Sequence, residues 1–206
     1  MQKSTTPAER RNLSSRTFLV LTTAVVAALA VSLAIAAWIA WTPARGANRS
    51  VIGGPFALQD GDGRTISDAA LRGRPFLVYF GYTHCPDVCP TELARIADVL
   101  SKMGDKAIPA LFITVDPVRD TPKVMQEYAG SFGPSITGLS GSAEAIAAVE
   151  KAYRVSARKG PLQSDGSYSM DHSAIVYLMD KTGGFNKALN LSGPPEETAK
   201  ELQNYL

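Results

Sequence analysis

The sequence predicts an α/β domain with an open, mostly parallel sheet and an antiparallel edge, preceded by one transmembrane helix. Three observations predict this architecture. Two apolar runs, residues 75–82 and 108–115, have the length and composition of strands buried on both faces, and a helical pattern follows each. A hairpin is expected near the C terminus, in residues 174–189. A run of residues without a charge precedes the whole domain, at positions 17–41.

Residues 17–41 are the expected membrane anchor. As a helix this segment would be about 38 Å long, enough to cross a hydrocarbon core of about 30 Å with some tilt. Trp38 and Trp41 lie at its outer end, where aromatic rings favour the membrane interface. The apolar region of a cleaved signal peptide is usually shorter, at about 7–15 residues. The sequence therefore predicts an uncleaved anchor.

The charges on either side of this segment predict its orientation. Residues 1–16 hold four basic side chains and one acidic side chain, whereas only Arg45 and Arg49 follow the segment closely. The positive-inside rule then places residues 1–16 in the cytoplasm and the C-terminal domain on the other side. We expect a bacterial inner-membrane protein whose domain lies in the periplasm. The rest of the chain has no basic footprint, so nucleic acid is not an expected partner.

The domain itself is expected to follow a tether. Residues 42–55 are rich in Gly, Pro and Ala and would link the anchor to a domain of residues 56–206. The stretch FALQDGDGRTIS, residues 56–67, predicts two short strands joined by a DGDG turn, with one helical turn after them. This hairpin would be an extra N-terminal element ahead of the sheet.

Periodicity and capping signals predict the remaining elements. Residues 91–103 repeat apolar side chains at helical spacing, and Pro90 suits the first turn of that helix. Thr121 and Ser142 are the expected N-caps of the next two helices. The later part of the chain is predicted as a polar loop (158–171), two strands joined across KTGG (174–180 and 184–189) and a closing helix (194–206).

Both cysteines of the chain, Cys85 and Cys89, lie between a predicted buried strand and the helix after it. Thioredoxin-like folds place their reactive cysteines there, so we predict a thioredoxin-like fold. At a helix N-terminus the unpaired N–H groups and the helix dipole favour a thiolate and lower its pKa. A thiolate is both the nucleophile of disulfide exchange and a soft metal ligand. A disulfide kept for stability would close a very short loop and constrain little of the unfolded chain.

The cysteine spacing leaves a structural disulfide, a redox couple and a metal site open. Three residues separate the cysteines, where thioredoxin-type oxidoreductases have two, so both sulfurs can converge on one ion. Structural zinc usually has four protein ligands, whereas two thiolates and one imidazole suit copper. Of the two histidines, His84 adjoins Cys85, and neighbouring side chains seldom reach the same ion. His172 precedes a late apolar strand, where a capping role and a ligand role are both open.

Three motifs in order carry a resemblance to a known family. GYTHCPDVCP, FITVDPVRDTP and DHSAIVYLMDKTGGF together resemble the Sco/SenC family of copper-binding proteins. The opening segment FALQDGDGRTIS and the single N-terminal anchor are similar as well, and the resemblance covers about residues 52–206. It implies a thioredoxin-like fold, membrane tethering, and copper, as Cu(I) or Cu(II), held by two cysteines and one distant histidine. Matched by position, these ligands are Cys85, Cys89 and His172.

The resemblance leaves supporting residues to be assigned. Asp171 precedes the implied histidine ligand and could orient its imidazole. Asp116 and Arg119 begin a loop at the end of a buried strand, the edge where α/β sites form, and are candidates to support the site from behind the ligands. Met170 offers a soft sulfur but is expected to pack, and His84 falls at a position that the family motif leaves open.

The resemblance implies a role in building cytochrome c oxidase, at the binuclear copper centre of subunit II. The first hypothesis is a copper metallochaperone rather than an enzyme, with that subunit as its partner. The alternative is a thiol–disulfide reductase that keeps the subunit's cysteines reduced, with Cys85 and Cys89 as a redox dithiol. Other periplasmic copper chaperones and thioredoxin-like reductants are further expected partners. A redox or copper sensor is a third option.

Overall fold

The structure, a computed structural model, describes residues 15–41 and 52–206. The chain divides into two compact units, Met1–Asn48 and Arg49–Leu206. In the first unit, helix α1 spans Ser15–Trp41. Over the described residues, no helix has the length and apolarity that crossing a membrane requires. Most of the predicted cytoplasmic segment and of the predicted tether lies outside the described residues.

The second unit alternates strands and helices as the apolar pattern predicts. It begins with β1 (Ala57–Gln59), β2 (Thr65–Ser67) and a 3-10 turn (Asp68–Leu71). The next elements are β3 (Phe76–Gly81), α2 (Val88–Met103), a 3-10 turn (Gly104–Lys106), β4 (Ala110–Thr114), α3 (Pro122–Gly130), β5 (Ile136–Leu139) and α4 (Ala143–Tyr153). The last are β6 (Ala157–Lys159), β7 (Met170–His172), β8 (Val176–Met179), β9 (Phe185–Leu189) and α5 (Pro195–Gln203).

The central sheet has the strand order β5-β4-β3-β8-β9. Strands β3, β4 and β5 run parallel, whereas β8 pairs antiparallel with β3 and with β9. The sheet is therefore more evenly mixed than predicted, because the C-terminal hairpin joins it directly beside the central strand. The predicted extra hairpin is confirmed as the antiparallel pair β1–β2.

Strand β3 lies in the middle of the sheet, and all six of its residues are buried. Because successive side chains of a strand point to opposite faces, Tyr79 and Gly81 lie on one face of the sheet. The carboxyl end of β3 leads directly into the cysteine segment and helix α2. The predicted caps are also present: Thr121 Oγ1 accepts the Val124 N–H of α3, and Ser142 Oγ accepts the Ala145 N–H of α4.

Two elements differ from the sequence prediction. Strand β5 was not predicted, because Gly138 interrupts its short apolar pattern. A Cβ at Gly138 would lie 2.1 Å from the Met125 carbonyl oxygen, so this position needs a glycine to let α3 pass close to the strand. The prediction of a loop throughout residues 158–171 was wrong at both ends. There Ala157–Lys159 and Met170–His172 pair as an antiparallel ladder, in which His172 lies opposite Ala157.

Candidate metal site

The two cysteines occupy the connection from β3 to α2. Cys85 is half-buried in the segment before the helix, and Cys89 is fully buried in the helix's first turn. Both are free thiols. Helix α2 starts at Val88, so the Cys89 side chain points from the helix N-terminus back towards the end of β3.

His172 meets the cysteines from a different part of the chain. The sulfurs of Cys85 and Cys89 and a ring nitrogen of His172 all lie within 4.8 Å of one another. The Nε2 atom of His172 is 3.4 Å from Cys89 Sγ. His172 is the last residue of β7, and its pairing with β6 holds it in place. The fold therefore brings together the three side chains that the resemblance implies as ligands.

Contacts of the His172 ring leave Nε2 free to bind a metal. Nδ1 donates a hydrogen bond to the Ser173 carbonyl oxygen at 3.2 Å, since a carbonyl oxygen only accepts. This bond selects the tautomer whose Nε2 carries a lone pair. The Tyr82 ring stands perpendicular to the imidazole, with ring centroids 5.8 Å apart. The imidazole is thus oriented with its free nitrogen towards the sulfurs.

The two sulfurs differ in their surroundings. The Cys89 backbone N–H, at the start of α2, donates a hydrogen bond to Cys85 Sγ at 3.3 Å. Burial instead raises the pKa of Cys89 to about 12. The expectation that the helix N-terminus lowers the thiol pKa is therefore wrong for Cys89, because loss of solvation on burial is the largest effect on this group. In the metal-free protein Cys89 is a neutral thiol at pH 7.

The raised pKa predicts how metal affinity depends on pH. A metal that binds the Cys89 thiolate must displace its proton at any pH below about 12. The apparent affinity for Cu(I) should therefore rise about tenfold per pH unit from this group alone. Competition with a chelator whose own pH dependence is known measures this slope. A slope of zero between pH 7 and 8 would show that Cys89 does not bind as a thiolate.

Asp116 and Arg119 contact Tyr168, in the loop between β6 and β7, and Arg119 also contacts Tyr82, just before the cysteine segment. The Asp116 carboxylate pairs with Arg119 and accepts the Tyr168 hydroxyl at 3.0 Å. The Arg119 guanidinium donates to the Tyr168 carbonyl at 3.0 Å and lies over two rings, 3.6 Å from the Tyr168 centroid and 5.7 Å from the Tyr82 centroid. Arg119 thus touches Tyr82, the residue that packs against the His172 ring, and Asp116 reaches it only through Arg119.

Asp171, His84 and Met170 are the remaining sequence candidates. Asp171 is exposed, and the imidazole hydrogen-bonds to Ser173, so an orienting role for Asp171 stays a prediction. His84 is exposed, with Nδ1 3.1 Å from Thr83 Oγ1, and it is not part of the three-residue cluster. Met170 is half-buried and packs against the hydrophobic core, as expected.

Asp120 was missed by the sequence analysis and holds the cysteine segment in place. Its buried carboxylate accepts three hydrogen bonds: from the Thr83 N–H at 3.1 Å, the Thr83 hydroxyl at 2.6 Å and the Thr114 hydroxyl at 2.8 Å. These bonds fasten the start of the cysteine segment to the end of β4. Asp120 lies in a segment predicted to be a turn, and turn residues are usually exposed. Nothing in the sequence therefore distinguished Asp120 from a surface aspartate.

Gly81 gives the Cys89 sulfur its space. A Cβ added at Gly81 would lie 2.8 Å from Cys89 Sγ and 2.8 Å from Cε2 of the Phe112 ring, closer than real Cβ contacts allow. Replacing Gly81 with alanine should therefore displace the sulfur, destabilise the domain by about 1–3 kcal/mol and weaken copper binding.

Urea unfolding and copper titration of the Gly81→Ala protein test this expectation. Gly130→Ala is the matched control, because a Cβ there meets no atom within 4 Å and the position is helical. Normal copper binding by the Gly81→Ala protein would show that Cys89 Sγ is not confined as described.

Comparison with known proteins identifies the family. A family model described as SCO1/SenC matches residues 44–206. The chain belongs to the SCO1/SenC family. ScoI of Bradyrhizobium japonicum, solved with copper bound, is 52% identical with a TM-score of 0.72, over 75% of this chain and 99% of that one. The SCO2-like protein RP587 of Rickettsia prowazekii is 39% identical over 156 residues, covering 74% of this chain and 76% of its own.

A more distant structure bears on the fold. BsSco, described as a member of the Sco family of cytochrome c oxidase assembly proteins with a disulfide switch, is 23% identical with a TM-score of 0.61, over 77% of this Sco chain and 94% of that one. The α/β fold prediction is confirmed by these structural matches. The matches span about half to three-fifths of the length of several curated mitochondrial relatives.

Proposed function

We propose that this Sco protein binds copper through Cys85 Sγ, Cys89 Sγ and His172 Nε2. The observation that carries the proposal is the convergence of the three donor atoms within 4.8 Å. Two sulfurs suit Cu(I), and the imidazole nitrogen extends the set to Cu(II). The set is one protein ligand short of an ordinary structural zinc site. The copper-bound structure of the Bradyrhizobium japonicum relative supports the same choice of metal.

We further propose that the protein is a copper metallochaperone for the binuclear centre of cytochrome c oxidase subunit II. Family membership supports this role, since the resemblance implies oxidase assembly and BsSco is described as belonging to a family of oxidase assembly proteins. The half-buried position of Cys85 also supports it, because a partner thiolate could reach a metal held at the edge of the domain. Transfer would proceed by stepwise exchange of thiolate ligands.

The location is a proposal that rests on the sequence. We infer an anchor in residues 17–41 from their lack of charged side chains, and a periplasmic domain from the basic residues that precede it. Oxidase subunit II, other copper chaperones and thioredoxin-like reductants would then be met in the periplasm.

A thiol–disulfide reductase for the same oxidase subunit is the second candidate. Two free thiols whose sulfurs lie within 4.8 Å favour it, since they could form a disulfide after reducing a partner. The position of His172 favours the copper role instead, because dithiol exchange has no need of an imidazole lone pair directed at the sulfurs.

A reconstituted transfer experiment separates the two functions. Copper-loaded protein is mixed with the reduced, metal-free copper domain of subunit II, and the absorption of the binuclear centre is followed. The chaperone function predicts that this absorption appears as copper leaves the Sco protein. In parallel, metal-free reduced protein is mixed with the disulfide form of that domain. Disulfide reduction without any copper transfer would favour the reductase.

A further inference from the structure

Tyr79 carries a buried hydroxyl without an ordinary partner. The residue lies in the middle of β3, and its side chain is 1% exposed. Its hydroxyl makes no hydrogen bond of normal geometry to any group in the described part of the chain. Buried tyrosine hydroxyls usually have a partner, because removing the group from water without one is unfavourable. An unpartnered hydroxyl at this buried position is therefore unusual.

The surroundings of the ring place Tyr79 beside the metal site. Tyr79 and Gly81 share one face of β3, and Cys89 Sγ packs directly against Gly81 on that face. The Phe112 ring stacks on Tyr79, with centroids 5.9 Å apart, and also borders Gly81. The Tyr79 ring and the Cys89 sulfur thus lie on the same face of the sheet, both beside Phe112 and Gly81.

The charges around the phenol agree with this placement. Burial is the main cause that raises the pKa of Tyr79, and the neighbouring Cys89 raises it further.

We propose that the Tyr79 hydroxyl is a hydrogen-bond donor held for the Cys89 thiolate, and that it tunes the copper–sulfur bond from outside the ligand set. A thiol sulfur is a weak acceptor and a thiolate is a strong one. The hydroxyl therefore gains a strong acceptor when Cys89 binds copper as a thiolate. Tyr79 acts through Cys89 and does not touch the metal, so it is a positioning residue. The proposal rests on copper binding at this site.

The consequences follow from the chemistry of sulfur ligands. A donor to a ligand sulfur withdraws electron density from it, and hydrogen bonds around a cysteine sulfur tune the potential of the metal. The Tyr79→Phe protein keeps the ring and loses only the hydroxyl. Its thiolate-to-Cu(II) charge-transfer band should move to lower energy, and its Cu(II)/Cu(I) midpoint potential should fall, at unchanged copper stoichiometry. In the metal-free protein the urea midpoint should stay the same or rise, because an unpartnered buried hydroxyl is removed.

Tyr153→Phe is the matched control. Tyr153 is also 1% exposed, and its ring packs against Phe56 and Phe80, away from the cysteines. The Tyr153→Phe protein should keep the charge-transfer band and the Cu(II)/Cu(I) midpoint potential of wild type. Identical bands and potentials in wild type, Tyr79→Phe and Tyr153→Phe would overturn the proposal. A fall in the urea midpoint of the metal-free Tyr79→Phe protein would overturn it too, since it would show that the hydroxyl already has a partner.

Failure of copper binding itself is distinguishable. If wild type shows no charge-transfer band at one equivalent of copper, the proposed function fails. The hydrogen bond between Tyr79 and Cys89 is then tested in the metal-free Cys85→Ser protein, where Cys89 is the only cysteine. The measurement is the rate at which Cys89 reacts with an aromatic disulfide reagent at fixed pH. Adding Tyr79→Phe to that background should slow the reaction, because the thiolate loses its donor. Equal rates with and without the Tyr79 hydroxyl would overturn the proposal in this case.

Discussion

Replacement of His172 with alanine is expected to abolish tight Cu(II) binding while Cu(I) binding by the two sulfurs persists in weakened form. The change removes the one nitrogen donor in the cluster, 3.4 Å from Cys89 Sγ. Loss of an outer partner of a metal ligand already costs about 10–100-fold in affinity, so loss of the ligand itself should cost more than about 100-fold. The measurements are Cu(II) titration and the thiolate charge-transfer absorption, which should disappear.

The second histidine of the chain provides the control for this experiment. His84 adjoins Cys85 but is exposed and outside the three-donor cluster, so His84→Ala should bind Cu(II) as wild type does. Oxidase assembly in cells should fail with His172→Ala and continue with His84→Ala. Normal assembly in the His172→Ala strain would argue against the chaperone function and for the reductase.

Replacement of Asp120 with alanine is expected to destabilise the domain by about 3 kcal/mol and to weaken copper binding. The buried carboxylate accepts two bonds from Thr83 and one from Thr114, and each buried donor left without a partner costs about 1–3 kcal/mol. The cysteine segment would lose its attachment to the end of β4, so the sulfurs would be held less firmly. Urea unfolding of the metal-free protein and copper titration measure the two effects.

An exposed aspartate serves as the comparison for Asp120. Asp62 pairs with Arg64 at the surface of the N-terminal hairpin, where ion pairs contribute at most about 1 kcal/mol. Asp62→Ala should therefore unfold almost as wild type does and bind copper normally. If the Asp120→Ala protein had the same urea midpoint and copper affinity as the Asp62→Ala protein, the hydrogen bonds to Thr83 and Thr114 would not hold the cysteine segment.

The parts of the fold that follow from local signals were predictable. The run of residues 75–82 is apolar because β3 is buried on both faces, and Thr121 and Ser142 are caps because their side chains accept the free N–H groups of α3 and α4. Strand β5 was not predictable, since Gly138 is there to admit the backbone of a helix that is distant in sequence. Strands β6 and β7 form because they pair with each other across a long loop, and a local sequence pattern does not predict such pairing.

The site was predictable in its ligands and less so in its support. Cys85 and Cys89 followed from their position between a strand and a helix, whereas His172 needed the family resemblance, because a histidine before a strand has no distinctive spacing. The raised pKa of Cys89 depends on burial, which the sequence does not give. Asp120 and Tyr79 resemble an ordinary turn residue and an ordinary strand residue until their surroundings are known.

Copper content and absorption of the purified domain, residues 50–206, test the central claim most directly. The reduced protein should take up one equivalent of copper, and the Cu(II) form should show an intense thiolate-to-copper charge-transfer band. That band should depend on Cys85, Cys89 and His172 and not on His84. A colourless protein that retains no copper after addition of one equivalent would contradict the proposed site and function.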